Sequence, residues 1–143
     1  MRIRPPVPAD YGAMAELAGQ LGYPCTVREL RARLAGLKDP RQYAVFVAEA
    51  PDGQVSGWIG VYIFRSVETA PCAEISGLIV DRGRRSRGIG QLLLDAALKW
   101  ARRRGFAEIA VHSNVIRRRA HRFYERHGFH HVKTQKLLSK RLT

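Results

Sequence analysis

The chain has 143 residues, 45% of them hydrophobic, which suffices for one ordinary core without staples. Its two cysteines, Cys25 and Cys72, show neither CxxC spacing nor a histidine cluster at ligand intervals, which argues against a disulfide framework or a zinc site and predicts two reduced thiols. The net charge of +13, with most of the excess after residue 81, calls for an anionic partner or serves solubility; no apolar stretch is long enough for a signal peptide or membrane span, so the chain reads as cytoplasmic.

In chain order, Met1 to Arg4 reads as a short strand ended by Pro5 and Pro6. Between Ala9 and Leu21, residues Met14, Leu17, Ala18 and Leu21 fall at helical spacing, and Gly22 is the stop. Thr26 and Glu29 form a capping-box pattern for a second helix, with Leu30, Leu34 and Leu37 as its apolar stripe and Asp39-Pro40 as its end. Tyr43, Val45 and Val47 alternate with Ala44, Phe46 and Ala48; Pro51-Asp52-Gly53 then turns the chain into Val55 to Phe64, which predicts a hairpin.

Ala73 to Val80 is another apolar, β-branched run. From Ile89 to Arg104 the period becomes helical: Ile89, Leu93, Ala96, Ala97 and Trp100 share one face, and Gly105 suits the left-handed position after the last turn. Ala107 to Ser113 reads as a strand. Arg117 to His127 reads as a helix carrying Ala120, Phe123, Tyr124 and His127 on one side, and the tail from Phe129 to Leu142 as one or two antiparallel strands. The order β-α-α-β-β-β-α-β-α-β is that of a mixed α/β fold in a single domain over residues 1–143.

The chemistry concentrates between the third long strand and the long helix, in Arg85-Ser86-Arg87-Gly88-Ile89-Gly90. N–H groups opening a helix lack internal partners and sit in the positive end of its dipole, so a phosphate is favoured there; the glycines permit close approach, and Arg85 and Arg87 add donors suited to phosphate. A dinucleotide fingerprint would need glycine where Leu93 stands, and a P-loop would need Gly-Lys-Ser/Thr; both are absent. A basic turn whose glycines serve geometry alone stays open on these residues.

Arg85-x-x-Gly88-x-Gly90 resembles the Q/R-x-x-G-x-G/A motif of the GCN5-related N-acetyltransferases. The likeness extends from Ala73 through Phe129: Glu74-Ile75, Leu78-Ile79-Val80-Asp81, the turn, Ser113-Asn114, and Ala120-x-x-Phe123-Tyr124-x-x-x-Gly128-Phe129 follow in the family's order and spacing. The N-terminal half resembles the family only in its element order. The resemblance implies a mixed, mostly antiparallel sheet of six to seven strands flanked by about four helices. It also implies acetyl-CoA as cosubstrate with no metal, and direct transfer of acetyl to a primary amine of a small molecule or peptide.

By the same resemblance the pantetheine arm would pair with Leu78, Ile79 and Val80, the diphosphate would sit on Arg87, Gly88, Ile89, Gly90 and Gln91 with Arg85, and Asn114 would touch the cofactor. Glu74 would take the amine's proton, directly or through water, and Tyr124 would serve the departing thiolate as an acid. Each has a plainer reading: Glu74 as a strand-end surface carboxylate, Tyr124 as a core aromatic, Asn114 as a turn residue or helix cap. The five histidines match no motif, although His112 is a reserve base. The core is close to small bacterial members likened to aminoglycoside acetyltransferases, yet +13 is an awkward charge for a polycationic acceptor without a local acidic pocket. Neither nucleic acid nor a membrane is the expected partner; homodimers are common in the family. The alternative is a non-catalytic basic regulatory or nucleic-acid-binding domain that retains this fold.

Overall fold

A computed structural model describes residues 1–85 and 87–143; Ser86, inside the predicted turn, lies outside the described residues. The chain falls into two compact units, Met1–Val111 and His112–Thr143.

The first unit runs β1 (Arg2–Arg4), a 3₁₀ turn at Pro8–Asp10, α1 (Tyr11–Leu21), α2 (Val27–Gly36), β2 (Tyr43–Glu49), β3 (Val55–Phe64), β4 (Cys72–Val80), a 3₁₀ turn at Arg82–Arg84, α3 (Ile89–Arg103) and β5 (Ile109–Val111). The caps form where local chemistry requires them. Thr26 Oγ1 accepts the Glu29 N–H at 3.1 Å while the Glu29 carboxylate accepts the Thr26 N–H at 3.0 Å, and Gly22 ends α1 at φ 102, a conformation other residues avoid.

The sheet order is β1-β2-β3-β4-β5, with antiparallel pairing up to β4 and a parallel pairing of β4 with β5. Among the described residues the fold is therefore the expected mixed α/β class, with four α-helices. Among the described residues it has five strands, not six to seven. The correction falls on the tail: Phe129 to Leu142 forms no strand, and Val132, Leu137, Leu138 and Leu142 stand exposed. Those apolar residues are spaced unevenly and separated by Lys133, Gln135, Lys136, Lys140 and Arg141, so no alternating face exists to bury against a sheet.

α3 buries Ile89, Leu93, Leu94, Ala97, Trp100 and Ala101. Leu94 joins the expected stripe, while Ala96 is only half-buried. The helix lies on the sheet face bearing Ile59, Val61 and Ile63, and its approach is close: a Cβ on Gly57 would sit 2.7 Å from Ile79 O and 3.0 Å from Leu93 Cδ1. The opposite face belongs to α1, where Trp58 Nε1 donates to Met14 O at 3.2 Å.

Two register shifts decide which side chains share that α1 face. One lies between Ala48 and Glu49 in the β2–β3 ladder; the other, between Gly60 and Val61, leaves Ser76 of β4 as an extra residue between the Gly60–Gly77 and Val61–Ile75 pairs. Beyond the bulges Tyr43, Tyr62 and Glu74 stand directly opposite one another on three successive strands.

The second unit contains α4 (Arg118–Arg126), followed by Gly128 at φ 90. Its aromatic cluster joins Tyr124 edge-on to Phe123 at 5.3 Å and to Phe129 at 5.1 Å between ring centroids.

Candidate functional site

β4 carries two kinds of groups along its length. Glu74, only 5% exposed, accepts a hydrogen bond on Oε2 from the Tyr62 phenol at 3.2 Å. Burial, reinforced by the negative charge of Glu74, pushes the Tyr62 phenol above the ordinary tyrosine value, so it remains a donor throughout the neutral range. Burial, with Glu74 again adding to it, raises the neighbouring Cys72 thiol too, which makes that free cysteine a poor nucleophile at neutral pH.

Further along, Leu78, Ile79 and Val80 pair with Ile59, Trp58 and Gly57 of β3, whereas β5 reaches only Ala73, Glu74 and Ile75. Among the described residues, from Gly77 to Val80 the strand has a ladder on its β3 side alone within this sheet, which is the edge geometry that accepts an extended ligand through main-chain hydrogen bonds.

The strand then enters the glycine turn. Asp81 N–H donates to Ser56 O at 2.8 Å, and the Gln20 amide of α1 holds the start of the turn: its Nε2 donates to Asp81 Oδ1 and its Oε1 accepts the Arg82 N–H, each at 3.1 Å. Arg84 is anchored to Asp52 of the β2–β3 turn at 2.9 Å. Arg85 directs its Nε toward Val80 O at 3.4 Å, joining the motif arginine to the end of β4, while Arg87 is exposed. Gly88 caps α3 at φ 78, and the helix begins with Ile89, Gly90 and Gln91, whose N–H groups precede the first intrahelical donor. Leu92 supplies that donor, to Gly88 O at 3.2 Å.

In the second unit Tyr124 is buried, and burial pushes its phenol up to about 12 against a small opposing effect of Arg117. Asn114 is exposed and behaves as the turn reading expected: its Oδ1 accepts the Ile116 N–H at 3.1 Å and its carbonyl accepts the Arg117 N–H at 3.0 Å at the entry to α4. His121 Nε2 lies 2.8 Å from the same carbonyl.

Glu74, Leu78–Val80 and Arg85–Gln91 thus follow one another along a strand, turn and helix start of the first unit, apart from the undescribed Ser86; Tyr124 and Asn114 belong to the second. Among the described residues no group of three or more His, Cys, Asp or Glu side chains could hold a metal ion. A cleft of about 190 Å³ lined by Ile3, Phe46, Lys99, Trp100 and Arg103 includes none of the expected site residues.

Comparison with known proteins decides the family. The acetyltransferase (GNAT) family model matches residues 13–129. The chain belongs to that family. It is 33% identical over 132 residues to an aminoglycoside N(6')-acetyltransferase type 1 of Stenotrophomonas maltophilia, covering 89% of this chain and 84% of that protein. It is 39% identical over 70 residues to the uncharacterized N-acetyltransferase YhdJ of Bacillus subtilis, a match that spans 48% of this chain and only 41% of YhdJ. Among solved structures, an aminoglycoside N-acetyltransferase in complex with CoA superposes with a TM-score of 0.84 at 21% identity, over 98% of this chain and 94% of that one, a likeness of fold. As a GNAT member the chain is an N-acetyltransferase, and its mixed sheet is the fold of those relatives.

Sequence reasoning passed over three side chains that the structure brings to the site: Tyr62 on Glu74, Tyr43 beside Tyr62, and Gln20 on the turn. The hairpin turn at Pro51–Gly53 could have suggested that Tyr43 and Tyr62 lie near each other. Counting back from it gives the wrong partner, because the bulge at Ala48 and Glu49 shifts the ladder by one residue.

Proposed function

We propose that this protein is a cytoplasmic enzyme, a single catalytic domain over residues 1–143, that transfers acetyl from acetyl-CoA to a primary amine of a small molecule or peptide by direct attack in a ternary complex. The observation that carries the reading is the succession along β4: a buried carboxylate at Glu74, a one-sided ladder from Gly77 to Val80, then a helix start with Gly88 in the left-handed conformation.

In this reading the pantetheine arm lies along Leu78, Ile79 and Val80, and the diphosphate takes the N–H groups of Ile89, Gly90 and Gln91, helped by Arg85, Arg87 and the helix dipole. The long strand edge orients the thioester, and a main-chain N–H near Val80 polarises its carbonyl. The acceptor arrives as an ammonium, since an alkylamine has an ordinary pKa of about 10.4. Glu74, directly or through a water, takes one proton; the amine nitrogen attacks the carbonyl carbon, the C–N bond forms, the C–S bond breaks, and CoA leaves as a thiolate that takes up a proton. The products are the N-acetyl amide, the free thiol and one proton released to solvent.

The family resemblance assigns the thiolate's proton to Tyr124. With its phenol pushed up to about 12, full transfer to a thiolate of ordinary pKa about 8.5 is uphill by on the order of 5 kcal/mol, so hydrogen-bond donation to the developing charge is the larger part of that role. Asn114 is assigned to cofactor contact by the same resemblance.

The test is thermal unfolding with acetyl-CoA, followed by a thiol-release assay across amines. Ligand at about 100 times its Kd stabilises the folded state by about 2.7 kcal/mol, a readily measured rise in Tm. No rise at millimolar acetyl-CoA would overturn the assignment.

A further inference from the structure

The acceptor's chemical class is written on the α1 face of the sheet. We infer that Tyr43, Tyr62 and Glu74 form the acceptor subsite, and that it selects a monocationic primary amine with a flat apolar body, such as an arylalkylamine, over a polycation. The inference rests on the acetyltransferase reading above.

The geometry comes first. Tyr43 and Tyr62 are directly paired across β2 and β3, and Tyr62 and Glu74 across β3 and β4, so all three side chains leave the same face in one row. The two rings are nearly parallel, 20° apart with centroids 6.5 Å from each other, and both are half-buried, which leaves ring surface for a ligand. At the end of the row the Tyr62 phenol donates to Glu74 Oε2 at 3.2 Å. An ammonium drawn to that carboxylate places its carbon skeleton along two aromatic faces, where apolar contact and cation–π attraction act together.

Charge then narrows the class. Residues 1–81 carry a net charge of −1, so the whole of the positive excess, +14, lies in residues 82–143 with the glycine turn. The basic part suits a polyanionic cosubstrate, and the part bearing the tyrosine row is free of strong repulsion toward one ammonium. A polycation needs several available carboxylates, and six of the nine in residues 1–81 are engaged: Asp10 and Glu49 by Arg4, Glu29 by Thr26 and Arg33, Asp39 by Arg41, Asp52 by Arg84, and Asp81 by Gln20. Glu74 is the one carboxylate on the row, so a second or third ammonium would be desolvated without a partner.

The experiment compares phenethylamine with kanamycin as acceptors, reading CoA thiol release, in the wild type, Tyr43→Leu and Tyr62→Phe. The acetyl-CoA-induced rise in Tm serves as the control for folding and for the donor site. Phenethylamine is expected to have a kcat/KM at least 10-fold above that of kanamycin. Tyr43→Leu, which keeps apolar volume and removes the ring, should raise the phenethylamine KM about 10-fold with kcat within 2-fold. Tyr62→Phe keeps ring stacking and removes the hydrogen bond, so it should lower kcat several-fold with little change in KM. Equal or better turnover of kanamycin overturns the inference, as does an unchanged KM in a folded Tyr43→Leu protein that binds acetyl-CoA. Absence of the acetyl-CoA shift in the wild type overturns the enzymatic reading itself, a distinguishable result.

Discussion

The Tyr62 phenol lies 3.2 Å from Glu74 Oε2 across the β3–β4 ladder, joining a half-buried aromatic to a buried carboxylate on the sheet face shared with α1. A carboxylate buried to this extent needs hydrogen-bond donors, and a phenol whose pKa is raised by burial supplies one that does not ionise in the working range. The pair depends on the Ser76 bulge, which offsets β4 by one residue and puts Glu74 opposite Tyr62.

If Glu74 takes the acceptor's proton, Glu74→Gln keeps the shape of the side chain and a hydrogen-bond acceptor for Tyr62 while removing the base. Turnover should fall about 100-fold or more, within the usual contribution of a general base, with the acetyl-CoA-induced rise in Tm preserved. Steady-state kinetics beside a thermal-shift titration checks both halves, and unaltered kcat would reject the role.

Gly88 stands at φ 78 at the start of α3. A β-branched residue there is strained in the left-handed region by roughly 1–2 kcal/mol or more, and relief would rotate the N–H groups that open the helix. Gly88→Val should lower Tm modestly and weaken acetyl-CoA binding at least 10-fold by calorimetry. Gly83→Ala in the preceding turn, where a Cβ meets nothing closer than Asp81 Oδ2 at 3.9 Å, should bind nearly as wild type does.

Tyr124 gives a prediction with a definite sign. Its phenol titrates near 10 in the unfolded chain and at about 12 in the folded protein, so the folded state holds the proton longer. That preference contributes stability in full below pH 10 and is lost as pH rises through about 12, on the order of 2 kcal/mol across the window. Tyr124→Phe should flatten the fall of Tm between pH 10 and 12 while keeping ring contacts with Phe123 and Phe129. At neutral pH it should slow turnover and leave acetyl-CoA binding within 2-fold.

Asp10 behaves in the opposite sense. Hydrogen bonds from Arg4 at 2.7 and 3.0 Å, aided by the Val7 N–H at 2.7 Å, hold its carboxyl below the usual aspartate value against the cost of burial. The resulting stability is present above the unfolded value of about 3.9 and is lost as pH falls through the lower folded value. Asp10→Asn should reduce Tm by several degrees at pH 7 and narrow the difference between pH 7 and pH 3, as followed by circular dichroism.

The sequence by itself determined the features that depend on neighbours along the chain. The Thr26 and Glu29 capping box, the left-handed glycines at 22, 88, 105 and 128, the apolar stripe of α3 and the strand-to-helix glycine turn all appear where local spacing put them, because backbone sterics and unpaired helix N–H groups act over a few residues. Tertiary structure alone decided the rest. Whether Glu74 is a surface carboxylate or a buried one, and which tyrosines stand beside it, depends on two single-residue bulges, each of which moves every later side chain to the other face of its ladder. The tail likewise has β-branched and apolar residues, but their uneven spacing among lysines and arginines gives no alternating face, and Phe129 to Leu142 forms no strand.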